Sequence, residues 1–242
     1  MKKQTLMALA MLGATVAFAQ APAPKKAGIE EKGYVWNAQE GEKIEALHKK
    51  GDVKNGKEAY EVCGACHLPS GAGRPDGTFP QLAGQHSTVL IKQIADIRAG
   101  LRDNPTMYPF AITLTDPQEL ADVAMYIQSL CIPTNHGGYE GPDAAAQIAK
   151  GKELYENECK TCHGANGQGD REKFYPVIAG QHYKYLLRQM TDIRDGKRRN
   201  ANPDMVKIIK KYDNAQLVAI SAYQSSLSMP GAMCKAGPAK KK

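Results

Sequence analysis

Residues 63–67 read Cys-Gly-Ala-Cys-His and residues 159–163 read Cys-Lys-Thr-Cys-His, so the 242-residue chain carries one spacing twice, 96 residues apart. Cys-x-x-Cys-His is the spacing of covalent haem attachment. Two thiols about one helical turn apart reach the two vinyl groups on one side of a porphyrin, and the adjoining histidine points its imidazole at the iron. A zinc site fits poorly, because a histidine directly after its cysteine is badly placed to share a tetrahedral ion and no second pair lies at short range. A thioredoxin-like pair would need an alternating strand-helix context, which the flanking sequence lacks. The expected cofactors are therefore two covalently attached haem c groups, with Cys63, Cys66, Cys159 and Cys162 as attachment residues and His67 and His163 as iron ligands.

The duplication extends well beyond the cysteines. Residues 79–104 and 175–200 align without gaps at an offset of 96, with 13 identities in 26 positions. These include Ala83-Gly84-Gln85-His86 against Ala179-Gly180-Gln181-His182. Upstream, Gly56-Lys57-Glu58 and Tyr60-Glu61 recur as Gly151-Lys152-Glu153 and Tyr155-Glu156. Downstream, Asp116 to Tyr126 answers Asp213 to Tyr223. A period this long suits a duplicated domain rather than a solenoid. Pro133, Gly137, Gly138, Gly141 and Pro142 place the boundary between Cys131 and Asp143.

Within each copy the apolar spacing is helical. Leu90, Ile94, Ile97 and Leu101 mark one stripe after a Ser87 cap. Leu120, Val123, Ile127 and Leu130 mark another, after a capping box at Thr115-Asp116-Pro117-Gln118. Leu186, Met190 and Ile193, then Leu217, Ile220 and Leu227, repeat the pattern. No two-residue alternation competes. The sequence predicts an all-α fold of about three helices per copy, with a core too thin to close unless each copy wraps a haem.

The comparison of copies also nominates the sixth iron ligand. Asn104-Pro105-Thr106-Met107 and Asn202-Pro203-Asp204-Met205 come after the second helix of each copy, in stretches read as non-helical. Met107 and Met205 stand 40 and 42 residues after their histidines. A thioether paired with imidazole raises the iron's potential and suits electron transfer. Methionines more often fill cores, and Met125 and Met190 sit in helical stripes and read that way; Met229 and Met233 have no partner in the first copy. His86 and His182 are the rival ligands, but each comes after an Ala-Gly-Gln turn at a helix start, where a capping or surface role is usual. His48 and His136 occur once each. Pro80 and Pro176 each lie 13 residues after the iron histidine, where a free carbonyl would accept a hydrogen bond from the far imidazole nitrogen.

Together these features resemble the two-domain dihaem class I cytochromes c, the cytochrome c4 family. The resemblance rests on the paired haem motifs, the Pro-x-x-Ala-Gly-Gln turns, the Asp-Ile-Arg-x-Gly helix ends and the two loop methionines, over roughly residues 53–229. It implies two tandem cytochrome c-type domains with facing haems, and a periplasmic electron carrier serving a terminal oxidase or reductase. It also suggests that Arg102 and Arg198 lie near the haem propionates, against the alternative of ordinary solvated arginines.

The chain departs from the family in three places. Residues 27–52 add a polar, partly helical extension that Tyr34 and Trp36 dock onto the body. Cys131 and Cys234 remain after four thiols are used, and in an oxidising compartment they are expected to pair. The end Lys240-Lys241-Lys242 reads as a solvated tail. The expected organisation is a signal peptide over 1–19, a leader and extension over 20–52, haem domains over 53–132 and 144–234, a linker over 133–143 and a basic tail over 235–242.

Composition narrows the function. Hydrophobic residues make up 42% and charged residues 24%, enough apolar material for a core. Only 7% is aromatic, with Trp36 the one tryptophan, which disfavours a carbohydrate binder. The formal charge of +7 is uneven: residues 20–140 carry 12 Lys/Arg against 15 Asp/Glu, and residues 141–242 carry 18 against 10. No nucleic-acid motif accompanies the basic half. A basic end steers toward a membrane-bound oxidase or reductase with an acidic docking site, and peripheral membrane association is compatible with it. Lys2 and Lys3, the apolar run Leu6 to Phe18 and the Ala17-Phe18-Ala19 site predict export to the periplasm by a cleaved signal, and Ala21 to Lys26 reads as an extended leader. The competing reading is a small dihaem oxidoreductase, thiosulfate dehydrogenase-like or peroxidase-like, in which one methionine is displaced or replaced by Cys131 or Cys234. No acid-base pair adjoins either motif, so no catalytic residue is assigned.

Overall fold

The computed structural model describes residues 34–134, 136–229 and 231–235. The expected signal peptide, the Ala21–Lys26 leader and the lysine tail lie outside the described residues. The extension carries α1 (Glu42–Leu47). The first copy then holds α2 (Val53–Ala59), α3 (Glu61–His67), α4 (Ser87–Arg98), α5 (Tyr108–Ala111) and α6 (Pro117–Ser129). The second copy holds α7 (Ala144–Leu154), a π-helical turn (Tyr155–Cys159), α8 (Lys160–His163), α9 (Tyr183–Arg194), α10 (Pro203–Ile209) and α11 (Asn214–Ser226). Among the described residues the only β pairings are two isolated bridges, Ile132–Met233 and Asp170–Tyr175.

Each copy closes by packing its first helix on its last, α2 on α6 and α7 on α11. A glycine permits both approaches: a Cβ on Gly56 would strike the Asp122 carbonyl, and one on Gly151 the Ala219 carbonyl. The expected stripes face inward, with Leu120, Val123 and Ile127 buried in the first copy and Leu217, Ile220 and Leu227 in the second. Each such aliphatic side chain contributes about 1.5–3 kcal/mol on leaving water.

The offset between copies is 95 residues at Gly56/Gly151 and Tyr60/Tyr155, but 96 at the cysteines. The extra residue of the second copy lies between Tyr155 and Cys159, which is where the π turn forms. Such a turn accommodates one inserted residue in a helix and leaves the next turn in register. Accordingly the Tyr60 hydroxyl donates to the Leu68 carbonyl at 2.9 Å and the Tyr155 hydroxyl to the matching Gly164 carbonyl at 2.7 Å.

Several local expectations are corrected. Each copy has more than three helices, because α3, α5, α8 and α10 are too short to show apolar periodicity. Ser87 does not cap α4 but opens it: His86 holds the cap position, and the Gln128 side chain accepts from the Ser87 amide at 2.8 Å. At α6 the cap is Asp116, accepting from the Gln118 amide at 2.7 Å, while the Glu119 carboxylate accepts from the Thr115 amide. The full reciprocal box forms in the second copy, between Asp213 and Gln216. Met205 is helical, in the first turn of α10, because Asn202 caps that turn and Pro203 starts it.

The copies meet about an approximate two-fold axis. Gln85 donates to the Val177 carbonyl and accepts from the Val177 amide, at 2.8 and 2.9 Å. Gln181 makes the matching pair with Gln81 at 2.9 and 3.1 Å. Ile132, fully buried, wedges against Gly84 and Gly180, both at positive φ with no room for a side chain. The adjacent Cys131 forms the expected disulfide with Cys234. Met229 and Met233 pack in the core cluster that contains Ile132.

Candidate functional site

A cavity of about 820 Å³ runs through both copies, and all eight residues singled out by the motifs line it: Cys63, Cys66, His67 and Met107 from the first copy, Cys159, Cys162, His163 and Met205 from the second. In the first copy both thiols stand on α3, three residues apart, which puts them on one helix face. In the second, Cys159 ends the π turn and Cys162 lies on α8. All four are half-buried and stand apart from the disulfide. Burial pushes the Cys63 thiol up to about 11 and the Cys159 thiol up to about 12.

The histidines are held by the predicted prolines. His67 donates through Nδ1 to the Pro80 carbonyl at 2.9 Å, and His163 reaches the Pro176 carbonyl at 3.4 Å. A carbonyl can only accept, so Nδ1 carries the proton and Nε2 is left with its lone pair free to bind a metal. Desolvation lowers both imidazole pKa values, with the proline carbonyls pulling weakly the other way. Neutral imidazole is the form that ligates. After each histidine the chain turns sharply at positive φ, through Leu68 at 65° and Gly164 at 77°. Met107 holds the N-cap position of α5, packed against the first core, and Met205 packs against the second.

These donors fit haem c. Each copy lines its share of the cavity with two thiols, one imidazole already anchored at its far nitrogen, one soft thioether and aliphatic walls such as Leu90, Ile97 and Ile127 or Leu186 and Ile193. A porphyrin needs that combination.

His86 and His182 are not in the cavity lining. His86 bonds through Nε2 to the Gln168 carbonyl of the other copy at 2.8 Å. His182 holds the N-cap position of α9, but its side chain makes no capping bond and is not at the surface: it is 1% exposed, and neither ring nitrogen has a hydrogen-bond partner. Burial depresses its pKa to about 4, against a weaker upward pull from the Ala72 carbonyl, which stands outside bonding geometry.

Arg102 and Arg198 are half-buried and bonded to protein groups rather than freely solvated. Arg102 donates to Gln93 at 3.0 Å, to Gln189 at 3.2 Å and to the Tyr185 hydroxyl at 3.3 Å. Arg198 donates to Gln189 at 2.9 Å, to Gln93 at 3.0 Å and to Asn200. Burial, then the neighbouring Arg102, lowers the Arg198 guanidinium to about 10. Beside them Asp96 accepts from Lys92 at 2.5 Å and from Asn200 at 2.7 Å, all three nearly inaccessible. Two guanidiniums on the wall of the cavity, between the copies, form a place for anionic groups. The supporting amides were not recognised as functional in the sequence, although Gln93/Gln189 belong to the matched positions of the repeat. Trp36 also lines the cavity, and nothing in its sequence context signals that.

Comparison with known proteins agrees with this arrangement. The cytochrome c family pattern matches residues 53–131 and 148–228. The chain is 34% identical to cytochrome c4 of Azotobacter vinelandii, over 74% of this chain and 91% of that one. It is 32% identical to a thiosulfate dehydrogenase electron acceptor of Stutzerimonas stutzeri, over 68% of this chain and 78% of the other. Among solved structures, reduced cytochrome c4 from Pseudomonas stutzeri superposes with a TM-score of 0.64 at 32% identity, covering 74% of this chain and all of that one.

Proposed function

Because this chain belongs to the cytochrome c family, and within it to the dihaem cytochromes c4, we propose that it carries electrons in the periplasm between respiratory donors and a membrane-bound oxidase or reductase, through two His/Met-ligated haems. The observation that carries this reading is the single cavity onto which both Cys-x-x-Cys-His motifs and both methionines face. In it, Cys63 and Cys66 hold the first haem and Cys159 and Cys162 the second. His67 with Met107, and His163 with Met205, complete the two irons. The haem domains span 53–132 and 144–234.

When bound, haem supplies a one-electron iron couple. The protein supplies the rest. Pro80 and Pro176 fix the tautomer and orientation of the two imidazoles. Met107 and Met205 would supply the thioether ligands, leaving no place for substrate. The aliphatic walls exclude water, which keeps the reorganisation accompanying each transfer small. Arg102 and Arg198 would pair with propionate carboxylates between the centres and offset their buried charge. One form of the enzyme reading replaces a methionine by Cys131 or Cys234, and the structure binds both cysteines in the disulfide; the other form, a displaced methionine, predicts peroxide binding. One relative is named a thiosulfate dehydrogenase electron acceptor, a role that suits a carrier.

The test is spectroscopic. Purified protein is expected to hold two haems per chain, to show the weak near-infrared band of sulfur-to-iron ligation when oxidised, and to bind no peroxide. Met107→Ala and Met205→Ala should each remove about half of that band and lower one midpoint potential. A band unchanged in either variant would refute the ligand assignment.

A further inference from the structure

The extension before the first repeat has no counterpart in the second, and it ends up as part of the cavity wall. It is pinned to the first copy: Ala46 is fully buried, α1 packs on α4 and α6, and Glu42 pairs with Arg98 at 3.1 Å. Lys43 ties it internally by donating to Asn37 and to the Ala38 carbonyl. From that anchorage Trp36 reaches across to the second copy, where its ring meets Phe174 edge-on at 6.3 Å and 89°. The Lys92 ammonium of the first copy stands 5.1 Å from the Trp36 ring centroid, and Lys43 stands 5.8 Å from that of Phe174.

Trp36, Phe174 and Tyr175, with Asn202 and Asp204, line two spaces at once. One is the large internal cavity; the other is a smaller surface pocket of about 440 Å³ that also touches Asn37, Glu172 and Pro203. They are therefore the partition between the interior and solvent, on the side of the second copy that carries Met205. Phe174 holds its ring there from a backbone φ of 57°, which a bulky residue adopts only when its surroundings enforce it. The matching position in the first copy is Thr78, with no aromatic partner of this kind among the described residues.

We propose that Trp36 is a positioning residue for the second iron centre: held by its contacts with Lys92 and Phe174, it seals the Met205 side of that centre from water. The proposal rests on the two-haem reading above. Removing the seal admits water, which stabilises the more highly charged oxidised state, so the second potential depends on a segment outside both repeats.

Trp36→Ala holoprotein should show a downward shift of the second midpoint potential in a spectroelectrochemical titration, with the first unmoved. The Met107→His variant assigns the two transitions. Cyanide should bind the oxidised second centre faster, and Trp36→Phe should restore both readings. Phe174→Gly, which keeps the backbone conformation and deletes the ring, should act in the same direction, and combining it with Trp36→Ala should add little. Unchanged potential and cyanide rate, or equal shifts at both centres, would overturn the seal. Two haems and the near-infrared band in the unmodified protein are measured first, so failure of the haem reading is separated from failure of the seal.

Discussion

At the scale of single residues, His182 is the side chain whose burial carries the clearest consequence. Its folded-state pKa is depressed from 6.5 to about 4 because burial disfavours the charged ring. Over that interval the unfolded chain binds the proton and the folded one does not, so stability is full above about pH 6.5 and is lost as pH falls toward 4. His182→Leu should therefore flatten the fall in melting temperature between pH 6.5 and 4, while leaving the visible spectrum unchanged. A variant with the same acid slope as the parent would show that the ring does not remain neutral. His86, its partner in the repeat, is half-exposed and bonded, so it adds less to the same slope.

At the scale of elements, the close packing of α2 on α6 and of α7 on α11 depends on one missing methyl group each. Gly56→Ala or Gly151→Ala forces those backbones apart, at a cost of about 1–3 kcal/mol typical of overpacking. Chemical denaturation should show that loss, and Gly138→Ala, where a Cβ meets nothing within 4 Å, should not. The long helices were legible in the sequence because their stripes repeat over three or four turns: Leu120-Val123-Ile127 sits buried as its spacing requires. The short helices were not. α5 has four residues and α8 has four, less than the period needed to show a pattern. The cavity-facing cysteines, histidines and methionines could be read because haem chemistry restricts their types and spacing. The role of Trp36 could not, because its neighbours Lys92 and Phe174 are 56 and 138 residues away along the chain and only folding brings them together.

At the scale of the whole molecule, the two halves differ in charge as much as they agree in fold. The basic second half should attract an anionic oxidant such as hexacyanoferrate, and salt screens that attraction over about 10 Å at 0.1 M. Stopped-flow oxidation rates should therefore fall as ionic strength rises, and a cationic reagent should not show the same fall. A hexacyanoferrate rate independent of salt would remove the basic half as a docking face. Among the described residues no helix is long and apolar enough to cross a membrane.

The Cys131–Cys234 bond spans 103 positions and encloses the whole stretch between the repeats. A protease that nicks the backbone near Gly138 would thus leave two fragments still shackled to each other. Backbone continuity in the linker is therefore not what alone holds the two halves to one another.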